Sequence, residues 1–331
     1  MSTLHPIATD PGYLALTDGV GLVNLSDRTQ LELTGEDRAS FLHNFCTNAV
    51  RNRPVGQGCE AFITSAKGQI VGHVYIFCGE RSIILETVPD QAEALTAHLD
   101  RYIIREKVEI HDRTAEWGEV LLAGPQAAEL LESLAVAAPV AEYSHTESML
   151  ASEPVFVRRV NLVGPECFMI AVERQQLEWL IQSLITAGVI PASRQAFETA
   201  RVETGTPLFG IDITSKNLPQ EVNRDASAIS FTKGCYLGQE TVARIDALGH
   251  VNRLLVSVVF EGTEVPQAGT ELFSASAAEG EPAAIGTVTS AVFSPRFKAP
   301  LALAYVRRGQ NDVGSQLEWS GGRGKVVRLP L

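Results

Sequence analysis

The 331-residue chain lacks what most cofactor motifs need. Its five cysteines, Cys46, Cys59, Cys78, Cys167 and Cys235, are odd in number, widely spaced and contain no C-x-x-C pair. That pattern argues for reduced thiols and against a disulfide framework, a structural zinc site or the thiolate set of a resident iron–sulfur cluster. No metal is expected. The histidines His43, His73, His98, His111, His145 and His250 form no H-E-x-x-H or similar ligand pair, and each reads as a surface or satisfied core residue. Gly19-Val20-Gly21 lacks the third glycine of a dinucleotide loop. The run Gly321-Gly322-Arg323-Gly324-Lys325 lacks the first glycine and the Ser/Thr of a P-loop, and reads as a turn between strands.

Long apolar runs are missing too, so no membrane span is expected. The opening residues, MSTLHPIATDPGYLALTDG, carry no basic n-region, no apolar core and no arginine, which predicts neither a secretory nor a mitochondrial leader and makes the cytoplasm the expected compartment. Positive charge is scarce: the net charge is −12. Direct nucleic-acid binding, which draws affinity from neutralised phosphates, is not expected, although a local basic pocket for a small anion remains compatible.

With 45% hydrophobic and 20% charged residues, the chain is that of an ordered globular protein of two or three lobes. A strand is expected over residues 29–33, with Thr34 capping a helix that carries Phe41, Leu42 and Phe45. Residues 69–77 and 81–87 predict a hairpin, and a helix follows from about Gln91 with Leu95, Leu99, Tyr102 and Ile103 in its stripe. A second βα cycle is predicted: a strand over 117–122, Pro125 in a first helical turn, and paired strands over 154–162 and 167–172 joined by a Gly164-Pro165 turn. Leu177, Leu180, Ile181 and Leu184 mark an amphipathic helix stopped by Gly188, and Ser193 caps the next, which runs to Glu203. From residue 251 onward the texture changes to short strands (251–260, 270–273, 285–293, 301–306, 316–319, 326–329) separated by Gly, Pro and polar turns, with an exposed loop over 274–282. This reads as a small β-barrel or sandwich. The fold class is therefore α+β, with a mixed body over 1–250 and an all-β domain over 251–331.

Chemistry concentrates between Arg201 and Arg253. Cys235 follows Lys233-Gly234 and precedes a short helix expected over 238–245. Amides at a helix start and a nearby lysine favour thiolate, so Cys235 reads as a nucleophile, redox thiol or single metal ligand, or else as a small buried side chain in a Gly-flanked turn. Glu240 and Arg244, four apart, can pair on one helix face; alternatively Arg244 and Lys233 flank a pocket and hold an anionic group. Glu203, at a helix end beside Gly205, can accept two parallel hydrogen bonds from a flat amidine-like edge such as a pterin's, or else pair with Arg201 or serve as a cap.

The run Lys233-Gly234-Cys235-Tyr236-Leu237-Gly238-Gln239-Glu240, followed by Arg244, closely resembles the signature of YgfZ-type folate-binding proteins. These are relatives of the glycine-cleavage T protein, a tetrahydrofolate-dependent aminomethyltransferase. The stretches LTGEDRASFLHNFCTNAV, ITSAKGQIVGHVYIF, RYIIREKVEI and RVETGTPLFGIDI fit the same superfamily in order, so the resemblance spans about residues 20–330. It implies two interleaved α+β subdomains around a central folate channel plus a C-terminal barrel, tetrahydrofolate or a derivative as cofactor, Glu203 on the pterin, and Lys233 and Arg244 at the channel. In the T proteins the matching turn usually carries Asp where this chain has Cys235. Their catalytic Asp also lacks an evident counterpart, since Asp90 and Asp100 lack the Asn-rich surroundings. The resemblance thus implies a folate-binding protein that serves iron–sulfur client or assembly proteins, and through them transfer-RNA modification, with Cys235 as working thiol. Aminomethyl transfer of the glycine-cleavage type is the alternative.

Overall fold

A computed structural model describes residues 6–275 and 283–329. Eleven strands of the first two-thirds of the chain divide into two sheets whose order interleaves. Gly21–Asn24 opens the first sheet, and the chain then leaves to build the whole second sheet before Trp117–Ala123 returns beside Gly21–Asn24. The finished first sheet runs Ile190–Pro191, Gly21–Asn24, Trp117–Ala123, Cys167–Glu173, Glu153–Val160, His145–Leu150. The second runs Gln57–Thr64, Ile70–Cys78, Ile83–Thr87, Thr29–Thr34, Glu109–Asp112. Arg253–Phe260, Ala299–Arg307, Gly286–Ser294, Glu271–Ser274, Gln316–Trp319 and Gly322–Val327 close into a six-stranded barrel, Val258 pairing Val326 at the seam. Closure leaves no open sheet edge.

The expected hairpin forms as Ile70–Cys78 against Ile83–Thr87, and Ser193 caps helix Arg194–Glu203, its Oγ accepting the Ala196 N–H at 3.1 Å. Helix Leu177–Thr186 buries Leu180 and Leu184 and stops before Gly188, whose φ of 97° suits glycine.

Several local expectations need correction. Thr34 ends a strand and caps nothing: helix Arg38–His43 starts from Asp37 without a side-chain cap. Pro125 lies just ahead of helix Ala127–Ser133, not inside it. Residues 322–325 belong to a strand, not a turn; Gly324 is required there because a Cβ would meet the Phe260 ring at 2.8 Å. The loop expected over 274–282 lies, from residue 276, outside the described residues.

Strand Gln57–Thr64 carries no alternation signal, because all but its first residue is buried. Successive side chains of a strand point to opposite faces. Cys59, Ala61 and Ile63 pack in one apolar cluster with Val74, Ile76 and Cys78, while Glu60 and Phe62 face the other way. The second sheet is thus covered on both sides, and its inner face carries polar groups. A further core joins Phe62 and Ile70 of that sheet to Val202 and to Leu255, Leu301 and Leu303 of the barrel. Among the described residues no helix is long and apolar enough to cross a membrane.

Candidate functional site

The 233–240 turn is stitched to the second sheet. Leu237 donates its N–H to the Asn44 carbonyl at 2.8 Å, and Thr64 Oγ1 donates to the Leu237 carbonyl at 2.6 Å. Gly238, at φ 82°, lies so close to the 65–68 turn that a Cβ would meet the Ser65 carbonyl at 2.4 Å. Helix Gln239–Leu248 follows. Lys233 Nζ donates to the carbonyls of His43, Cys46 and Asn48 at 2.5, 2.6 and 2.9 Å, and stands 4.8 Å from the Tyr236 ring. An ammonium has three N–H groups, so none is left for a ligand. Burial lowers the Lys233 pKa. Lys233, expected to flank a pocket and hold an anionic group, does line a cavity, but its N–H groups are spent on backbone carbonyls. Lys233 fastens the turn, and only its charge is free to act outward.

Cys235 is exposed, whereas Cys46, Cys59, Cys78 and Cys167 are buried. Of the two readings of Cys235, the buried packing residue is excluded. Burial pushes the Cys78 and Cys167 thiols up to about 11. Arg244 stands exposed on its helix and lines neither the cavity at Lys233 nor the one at Glu203.

Glu203 is 2% exposed at the last position of helix Arg194–Glu203. Its Oε2 accepts from Tyr13 Oη at 2.8 Å, and Oε1 accepts from Ser294 Oγ and, at 3.3 Å, from the Arg296 N–H. Pairing with Arg201 is excluded, because that guanidinium is turned to Asp212 at 2.9 Å and to Glu198 at 2.7 Å. Glu203 lines a cavity of about 420 Å³ with apolar walls from Leu16, Val163 and Ala200, and with Asn161 and Arg296 as further polar members. Both carboxylate oxygens are already engaged, so a pterin edge would have to exchange with a hydroxyl. The structure does not bring Glu203 together with Lys233; they line separate cavities.

Where the sheets meet lies a charged network with no motif to announce it. Arg158 of the first sheet donates to Glu119 Oε1 at 2.9 Å and to Gln30 of the second at 3.1 Å, and lies 5.2 Å from the Phe77 ring. Arg28 is paired with Glu86. Glu60, fully buried, accepts from His73 at 2.6 Å, Tyr143 at 2.9 Å and Arg224 Nη2 at 2.7 Å. Burial opposes its ionisation, but Arg224 and His73 outweigh it and hold the carboxyl well below its usual range. The only signal for this cluster is polar residues at inward positions of two otherwise apolar strands.

Asp90 and Asp100 are both exposed, and neither has the enclosed setting of a catalytic carboxylate.

With this geometry in place, the relatives are informative. Residues 8–233 match the GCVT N-terminal domain, and residues 253–330 match the glycine cleavage T-protein C-terminal barrel domain. An aminomethyltransferase of Streptomyces avermitilis is 28% identical, over 96% of this chain and 88% of its own. A chloroplastic relative from Arabidopsis thaliana is 25% identical, over 92% of this chain and 69% of its own. The crystal structure of glycine cleavage system aminomethyltransferase T from Bartonella henselae superposes with a TM-score of 0.87 at 21% identity, covering 100% of this chain and 91% of that one, and so shares the fold. Both halves of the architecture are matched in order along one chain, and this protein belongs to the glycine-cleavage T-protein (GCVT) family.

Proposed function

We propose that this family member binds tetrahydrofolate and supports iron–sulfur cluster assembly or repair in the cytoplasm, with Cys235 as its working thiol. Its partners are then iron–sulfur clients or assembly proteins, and any effect on transfer-RNA modification is indirect. The observation that carries the reading is the exposure of Cys235 alone among five cysteines, on a turn held by Lys233.

The Glu203 cavity lies within the range of about 300–1,000 Å³ that small-molecule sites occupy. Its apolar walls and the buried carboxylate of Glu203, with Glu166 also in the lining, fit a flat, polar heterocycle. Leu16, Val163 and Ala200 would enclose the ring and Glu203 would accept its N–H groups, while Arg296 offers a charge at the exposed side. Bound tetrahydrofolate would supply a carrier for a one-carbon unit.

Complementation tests the thiol: Cys235→Ala should fold normally yet fail to rescue a strain deficient in a YgfZ-type protein. Full rescue would sink this reading. Calorimetric titration with tetrahydrofolate under reducing conditions tests the ligand, with Glu203→Gln expected to weaken binding.

A second reading, tetrahydrofolate-dependent aminomethyl transfer, is favoured by the names of the relatives. Against it stand Cys235 in the motif and the exposed positions of Asp90 and Asp100. Robust turnover with an aminomethyl-loaded lipoyl carrier would reverse the order.

A further inference from the structure

Beside Cys235 the surface carries a second cavity, of about 540 Å³, to which His43, Arg51, Arg53, Lys233 and Gly234 contribute and, among the described residues, no carboxylate does. On a chain of net charge −12, a concavity lined by three cations and no acid is a local reversal of sign. Such a reversal concentrates small anions. Lys233 brings charge without a free N–H, its three donors being spent on carbonyls. Arg53 spends Nε and Nη1 on the Ala49 and Gly58 carbonyls at 3.0 and 2.8 Å, and Arg51 uses Nη2 on Asn44 at 3.2 Å. Each guanidinium therefore keeps further N–H groups to offer.

His43 is the independent sign that something is to be bound. It is only 8% exposed, and its Nδ1 accepts the backbone N–H groups of Val50 and Arg51 at 3.2 and 3.3 Å. A ring nitrogen that accepts carries no proton, so the proton sits on Nε2. Among the described residues that Nε2–H has no hydrogen-bond acceptor, and His43 lines the cavity. Gly234 leaves the wall next to Cys235 open: a Cβ built there would touch nothing within 4 Å.

We propose that this cavity seats the carboxylate end of a small acidic disulfide and presents its sulfur to Cys235. The proposal rests on the reading of Cys235 as the working thiol and names what that thiol exchanges with. In the step, the Cys235 thiolate bonds to one sulfur of the disulfide and the ligand's S–S bond breaks. The departing half leaves as a thiolate and takes a proton from water. Cys235 is thereby oxidised to a mixed disulfide and the released half is reduced, so no further oxidant is required. A free acidic thiol seated in the same cavity runs the step backwards.

The test compares two probes on the full chain by intact-mass kinetics, with Cys235→Ser as the blank. Glutathione disulfide has two carboxylates on each half, while bis(2-hydroxyethyl) disulfide has no charge. The expected result is a rate for glutathione disulfide that saturates with concentration. Arg51→Glu should cut that rate by about tenfold while leaving the uncharged probe within about twofold, and Arg51→Gln should fall between, because reversing a charge costs more than removing it. An unchanged ratio of the two rates in both Arg51 variants would overturn the cavity's role, with Cys235 still reactive. Failure of Cys235 to react with either probe would instead remove the working-thiol reading itself, and the proposal with it.

Discussion

Tyr13 Oη donates to Glu203 Oε2 at 2.8 Å, joining helix Pro11–Asp18 to the end of helix Arg194–Glu203 across 190 residues of sequence. Burial and the neighbouring carboxylate raise the phenol's pKa, so it stays a donor throughout the working pH range. Tyr13→Phe should cost about 1–3 kcal/mol, the penalty for leaving a buried acceptor short of a partner. Urea unfolding measures this. If a pterin edge uses Oε2, the same variant should bind tetrahydrofolate at least as well as the parent, because the competing hydroxyl is gone. A large loss of affinity would place the ligand elsewhere.

Lys233→Met keeps the length of the side chain and removes all three donors. The carbonyls of His43, Cys46 and Asn48 then lose their shared partner, with an expected destabilisation of about 1–3 kcal/mol. Hydrogen exchange should quicken across residues 43–48 and 233–238. Unaltered exchange in both segments would show that Lys233 is not the fastener.

Burial, then the charges of Lys233 and Arg51, push the His43 pKa from 6.5 to about 4. The folded protein thus binds fewer protons here than the unfolded chain. The contribution of the neutral ring is complete above pH 6.5 and is lost as pH falls through about 4. The His43 Cε1–H resonance should therefore hold constant from pH 8 to about pH 5. A midpoint near the ordinary histidine value would contradict the geometry.

Glu119 runs the other way. It is buried, its Oε2 has no hydrogen-bond partner among the described residues, and burial with the nearby Glu86 raises its pKa. A carboxyl raised on folding binds more protons in the native state, so stability falls as pH climbs from the ordinary carboxylate range towards the raised value. Glu119→Gln should flatten that part of the profile when the two proteins are unfolded in urea across pH 5–8. Parallel profiles would mean that Arg158 holds Glu119 ionised throughout.

Thiol counting checks the exposure of Cys235. In the native protein one thiol per chain should react promptly with a water-soluble aromatic disulfide, and four more only after unfolding. Cys235→Ala should abolish the prompt phase and leave stability within about 0.5 kcal/mol, as for exposed substitutions generally. A second prompt thiol would show one of the four buried cysteines to be accessible.

Much of the local structure was written in short-range pattern. The stripe of Leu177, Leu180, Ile181 and Leu184 needs nothing beyond helical periodicity, and the Ser193 cap is set by its own sequence neighbours. The barrel strands are marked by their turns. Strand Gln57–Thr64 escapes such reading because both of its faces are covered, which erases the alternation. Thr34 misled because a capping residue at a strand end looks the same whether or not a helix follows at once.

The 233–240 motif is legible through its resemblance to the YgfZ-type signature, but what its residues do depends on groups far away in the chain. The three acceptors of Lys233 come from residues 43–48, and the partners of Glu203 from residues 13 and 294–296. The sequence by itself determined the residue types, the helical and strand periods, and the family to which they belong. Only the tertiary structure decided that Lys233 is spent on backbone carbonyls, that Cys235 faces water, and that Glu60 and Glu119 lie in a buried ionic seam. A hydrogen bond depends on distances of about 3 Å in space, and separation along the chain does not report them.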